Sequence, residues 1–91
     1  MPKRALLTDA EITGRLASIP GWAREGKTLR RTFAFRGFPD AVAFIDTLVA
    51  PAEAMNHHPD VDLRYNKVTV TLSTHDAGGL TALDFDLAAK L

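Results

Sequence analysis

The apolar residues of this chain change period sharply, and that change constrains the fold more than any other feature. Phe38, Ala41, Val42, Ile45, Leu48, Val49 and Ala52 recur every three or four residues, the spacing of one face of a helix. After His57-His58-Pro59 the period becomes two. Val61, Leu63 and Tyr65 alternate with Asp62 and Arg64, and Val68, Val70 and Leu72 alternate with Lys67, Thr69, Thr71 and Ser73. The two runs, joined at Asn66-Lys67, predict a hairpin of Val61–Tyr65 with Val68–Thr74. Pro39 suits a first helical turn. Pro51 lacks an N–H and should kink or shorten a helix drawn over Phe38–Asn56.

The flanks carry their own punctuation. In Leu7-Thr8-Asp9-Ala10-Glu11-Ile12, Thr8 and Glu11 have the spacing of a capping box, with Leu7 and Ile12 as a hydrophobic staple. Ile12, Leu16 and Ile19 form the stripe of that helix, and Pro20-Gly21 stops it. Trp22–Glu25 and Thr28–Phe35, separated by Gly26-Lys27, read as a second hairpin. Leu29, Phe33 and Phe35 share one face, with Arg31 as an exception in the alternation. His75–Gly79 is a loop. Thr81 then caps a last helix, with Asp84 at its third position, Leu80 and Phe85 as a staple, and Leu83, Leu87 and Leu91 as its stripe. Phe33, Phe35, Phe38 and Phe44 read as core. The order α-β-β-α-β-β-α predicts an α+β fold, a four-stranded antiparallel sheet with helices packed on one face.

Composition narrows the function by exclusion. With 91 residues, one domain spanning 1–91 is expected. Lys and Arg number 11 against 11 Asp and Glu, so the basic excess of a nucleic-acid or membrane-surface binder is missing. The absence of Cys removes a disulfide scaffold, a thiol nucleophile and a thiolate metal site. MPKRALLTDA has no apolar run long enough for a signal peptide, and no segment approaches a membrane span. The expectation is a cytoplasmic protein with neither membrane nor nucleic acid as direct partner.

The chemistry then falls to the histidines. His57 and His58 lie between the long helix and the third strand, and His75 lies where the fourth strand ends. Antiparallel pairing with a turn near Asn66 brings both segments to the far end of one hairpin, where three imidazoles could converge. Imidazole is the side chain best matched to proton transfer near neutral pH. The plain alternative is a solvated turn and an exposed loop. Zinc is a weaker alternative, since adjacent His residues point apart and no HExxH motif is present. Glu53 lies one helical turn before His57 and could orient an imidazole, although a solvated helix charge explains it too. Asp84 has a plain explanation as a first-turn carboxylate. Ser73 and Thr74 lack the glycines of a nucleophile elbow, and Gly78-Gly79 is too weak for a phosphate loop.

These residues resemble a known family. Glu53-x3-His57-His58-Pro59-x5-Tyr65-x9-His75-x8-Asp84 matches the signature of the pterin-4a-carbinolamine dehydratases at every fixed position. Tyr65-Asn66-Lys67-Val68, Thr71–His75 and Trp22 after Pro20-Gly21 are similar as well. The resemblance implies a hydro-lyase that dehydrates 4a-hydroxytetrahydrobiopterin to the quinonoid dihydropterin, recycling the pterin of an aromatic amino-acid hydroxylase. It implies that the pterin is substrate, with no cofactor and no metal. By position, His57 and His75 would be the acid–base pair, and His58 would bind and orient the ring. Pro59, Ser73, Thr74, His75, Asp76 and Ala77 would line the pocket, and Glu53 would tune the histidines. Trp22, Tyr65 and Asp84 are motif positions. Val61 stands where some members carry a large aromatic. A homodimer is expected, with a tetramer left open because the chain stops at Leu91, early in the last helix. The alternative is a non-catalytic protein-binding, assembly or coactivator module on the same fold.

Overall fold

The computed structural model describes residues 5–91; the first four residues of MPKRALLTDA, the segment that lacks a signal-peptide run, lie outside it. The order is α1 (Asp9–Leu16), β1 (Ala23–Glu25), β2 (Thr28–Ala34), α2 (Phe38–Thr47), α3 (Val49–Met55), β3 (Asp60–Arg64), β4 (Lys67–Leu72), a short 3-10 turn (His75–Ala77) and α4 (Ala82–Ala88). The strands form one antiparallel sheet in the order β1-β2-β4-β3. This is the expected α+β layer.

Register explains the burial. Leu29 pairs with Leu72, Phe33 with Val68 and Val68 with Leu63, so the apolar side chains share the face toward the helices. Leu29, Val68, Val70 and Leu72 are fully buried there with Ile12, Trp22, Leu80, Phe85 and Leu87. The opposite face carries the cross-strand rows Arg30–Thr71–Asp60 and Thr32–Thr69–Asp62. Arg31 breaks the alternation, yet it has a place on the inner side. Its guanidinium lies 4.4 Å from the Phe33 ring centroid and reaches the Pro20 carbonyl at 3.4 Å, a cation over an aromatic face.

Four expectations are refined. The long helix is two helices, α2 and α3, meeting at Leu48. Pro51 is the cause: its missing N–H is the one that would have reached the Thr47 carbonyl, the last residue of α2. The turn of the β3–β4 hairpin is Tyr65-Asn66, one residue earlier than expected, with Tyr65 at φ +52°. Asn66 holds it there, because its side chain donates to the Phe35 carbonyl at 2.9 Å and its own carbonyl accepts the Phe35 N–H. Helix α1 ends at Leu16, and Ile19 reaches the core from a tighter turn whose N–H groups bond three residues back. Trp22 precedes β1 and packs edge-on against Phe33 at 6.2 Å.

Phe38 is not core. Phe44 stacks on Phe33 and Phe35 with centroids 4.5 and 5.0 Å away, but Phe38 is 49% exposed and Val42 and Val49 are exposed beside it. At about 100° per residue, Phe38 and Val42 lie about 60° and 100° round the helix from buried Ala41. The apolar arc of α2 is therefore wider than the sheet beneath it.

Candidate active site

The end of α3 separates the two adjacent histidines. Asn56 takes a left-handed conformation, φ +49°, which Asn tolerates better than most side chains. Its N–H donates to the Glu53 carbonyl, and the His57 N–H donates to the Ala52 carbonyl at 3.0 Å. This is a Schellman closure. It ends the helix before Glu53 and His57 can face each other at i,i+4. His57 turns inward and is only 6% exposed. His58 turns outward, and its Nε2 pairs with the Glu53 carboxylate. Glu53 thus partners His58, not His57.

His57 Nε2 meets Asp84 Oδ1 at 2.6 Å. Asp84 itself is completely buried, held by the first turn of α4. Its Oδ2 accepts the Thr81 N–H and the Thr74 hydroxyl, both at 2.9 Å. The two threonine hydroxyls lie 2.8 Å apart, and Thr81 Oγ1 accepts the Leu83 N–H. Among the described residues no buried side-chain nitrogen or oxygen lacks a partner, as a stable buried polar cluster requires. Asp84 does serve as the capping carboxylate that the sequence suggests. The cap uses one oxygen; the other is free for His57. Thr81 and the Asp84–His57 contact escaped sequence reasoning because the capping box already accounted for both residues.

Beyond β4, the Thr74 carbonyl accepts the N–H groups of Ala77, Gly78 and Gly79, and the Thr74 N–H donates to the Gly79 carbonyl. Gly78, at φ +80°, closes this turn, a conformation that a side chain would strain. His75 stands on it, 79% exposed at its side chain, with Nε2 3.8 Å from Asp60 Oδ2 at the start of β3. His57 and His75 are thus linked through Asp84 and Thr74 at one end of the β3–β4 hairpin, one imidazole clamped and buried, the other exposed beside Asp60. Asp76 is exposed and Ala77 half-buried on the same turn. The Ser73 hydroxyl donates to the Lys27 carbonyl at 3.0 Å, tying the site to the β1–β2 turn. Pro59 is half-buried between His58 and β3.

Two motif positions lie elsewhere. Trp22 belongs to the core, and Tyr65 stands 68% exposed at the opposite end of the hairpin. An apolar groove of about 180 Å³ runs between α2–α3 and β3, lined by Ile45, Leu48, Val49, Ala52 and Val61, with Glu53 and His58 at its edge. A larger cleft of about 400 Å³ is lined by Met55, Asp86, Ala89 and Lys90 and holds none of the histidines; the groove is the one that bears on the site. No set of three or more His, Asp or Glu residues among those described gathers as metal ligands do.

A small α+β protein with a histidine–carboxylate cluster at a hairpin end is the class that fold and site define. Residues 5–91 match the family model described as pterin 4 alpha carbinolamine dehydratase. A protein of Roseiflexus castenholzii, provisionally named a pterin-4-alpha-carbinolamine dehydratase, is 56% identical over 87 residues, covering 96% of this chain and 94% of that protein. A similarly named protein of Trichormus variabilis is 54% identical, covering 94% and 92%. Among solved structures, a transcriptional coactivator/pterin dehydratase from Brucella melitensis superposes with a TM-score of 0.87 at 36% identity, covering 92% of each chain. A pterin dehydratase-like protein described as a RuBisCO assembly factor in the alpha-carboxysome gives 0.64 at 29%, covering 77% of this chain and 83% of that one. The chain belongs to the pterin-4a-carbinolamine dehydratase family.

Proposed function

We propose that this chain is a cytoplasmic 4a-hydroxytetrahydrobiopterin dehydratase, a single domain that works by histidine acid–base catalysis and recycles the pterin of an aromatic amino-acid hydroxylase. The supporting observation is the placement of His57, His58 and His75 around one hairpin end, in a chain that the family model spans over 5–91. Loss of water from the carbinolamine breaks the bond from carbon 4a to its hydroxyl oxygen and the N–H bond at nitrogen 5. The N–H electron pair becomes the new double bond between nitrogen 5 and carbon 4a, and the departing hydroxide leaves as water. One group must give a proton to the oxygen while another takes one from the nitrogen, and a clamped and an exposed imidazole suit the two tasks. His58 orients the ring beside the apolar groove, Glu53 holds His58, and Pro59 and the Ser73–Ala77 segment line the pocket.

The test is the rate at which purified protein consumes synthetic 4a-hydroxytetrahydropterin. His57→Ala and His75→Ala should each lower the acceleration by about 10²-fold or more. Full activity in both variants removes the site assignment. The assembly-factor relative favours a second reading, a protein-binding module on this fold. It predicts no dehydratase activity together with one stoichiometric protein partner.

The proposal includes a homodimer. Phe38, Val42, Val49 and Val61 are exposed around α2, α3 and the edge strand β3, and a second copy would cover them.

A further inference from the structure

We propose that Thr74, Thr81 and Asp84 form a directional hydrogen-bond chain that sets the tautomer of His57, so that His57 trades its proton with substrate through Nδ1. The directions follow from counting protons. Asp84 acts as a carboxylate, acceptor only, and three donors converge on it: the Thr81 N–H, the Thr74 hydroxyl and His57 Nε2. Thr74 has one hydroxyl proton, and it goes to Asp84. The 2.8 Å contact between the hydroxyls is therefore donated by Thr81, whose oxygen in turn accepts the Leu83 N–H. Each donor has one acceptor, and reversing any link leaves two donors or two lone pairs facing each other. With Nε2 bearing the proton toward Asp84 Oδ1, the neutral ring keeps its lone pair on Nδ1.

The arrangement is built on two elements at once. Asp84 and Thr81 come from the start of α4, and Thr74 lies two residues beyond the end of β4. The same Thr74 anchors the turn that carries His75 through its carbonyl. One residue thus fixes the orientation of the clamped histidine and the position of the exposed one. The Thr74 backbone runs along the proposed pocket, but its side chain is buried against Asp84; this hydroxyl and Asp84 are positioning groups that act on the reaction through His57.

The catalytic half of this inference rests on the dehydratase reading; the tautomer half does not, and the experiment separates them. Ring nitrogens of ¹⁵N-histidine-labelled protein are read by two-bond ¹⁵N–¹H correlation in the wild type, Thr74→Val, Thr74→Ser and Asp84→Asn. Neutral His57 is expected as the Nε2–H form in the wild type and in both Thr74 variants, whose Asp84 is still an acceptor-only carboxylate, with a shift toward Nδ1–H in Asp84→Asn, whose amide can turn an N–H toward Nε2. In the dehydratase assay, Thr74→Val should lose about 10- to 100-fold in kcat with KM nearly unchanged, the size of one hydrogen bond to a charged group, and Thr74→Ser should restore it. Wild-type His57 in the Nδ1–H form overturns the assignment without any variant having to fold. An Nε2–H form untouched by Asp84→Asn, or full kcat in Thr74→Val, overturns the role of the chain. The expected tautomers in a protein without dehydratase activity uphold the hydrogen-bond chain and remove the reading of function instead.

Discussion

Each of the three histidines faces a carboxylate, and the three pairs differ in what surrounds them. His57–Asp84 is buried, His58–Glu53 is more than half exposed, and His75–Asp60 is nearly in solvent. Removing one partner of a buried pair strands the other, whereas an exposed pair is screened by water. Asp84→Ala should therefore lower the unfolding free energy by about 3 kcal/mol, because it orphans three donors. Glu53→Ala should change it by less than about 1 kcal/mol. Urea denaturation of both variants gives the comparison, and equal losses would contradict it. Spacing alone suggested Glu53 for His57 and left Asp84 as a helix cap. The helix end reversed the first pairing, and burial, which no local pattern shows, added the second.

At the scale of elements, the site depends on how two helices begin and end. Asn56 closes α3 in the left-handed conformation that sends His57 inward. Asn56→Gly should preserve stability, while Asn56→Val should cost about 1–2 kcal/mol and broaden the His57 ring resonances as the closure loosens. Helix α1 starts with the capping box visible in the sequence: the Thr8 N–H donates to Glu11 Oε1 at 2.9 Å, and the Glu11 N–H donates to Thr8 Oγ1. The Thr8 backbone N–H, and then its hydroxyl, hold the Glu11 carboxyl below its ordinary value of 4.5. A lowered folded-state value means that the contribution is complete above the unfolded value and disappears as pH falls through the folded one. The melting temperature of Glu11→Ala should thus lie below that of the wild type at neutral pH, and the gap should close as pH drops below 4.5. A gap that persists in acid would assign the loss to something other than the charge. Capping was legible because it is written within four residues. The break at Leu48 was half legible: Pro51 announced a disturbance, but only the observed geometry put it at the Thr47 carbonyl.

Across the whole molecule, one sheet face is covered by helices and the apolar arc of α2 runs past its edge. If a second copy covers that edge, the wild type should sediment as a dimer at micromolar concentration. Val42→Asp and Val49→Asp should each sediment as monomers with an unchanged far-UV spectrum, since both side chains are already exposed in the single chain. A monomeric wild type would remove the proposal. Periodicity by itself determined the element order, the two hairpins, the layer of helices and the gathering of the histidine segments at one end, because side-chain period and turn residues act over a few neighbours. It could not tell Phe44 from Phe38, since both lie on the apolar arc and only the width of the sheet beneath decides which is covered. Nor could it choose the partner of His57. Asp84 is 27 residues away, and what joins them is the packing of α4 against the end of α3, a contact that exists only once the chain has closed on itself.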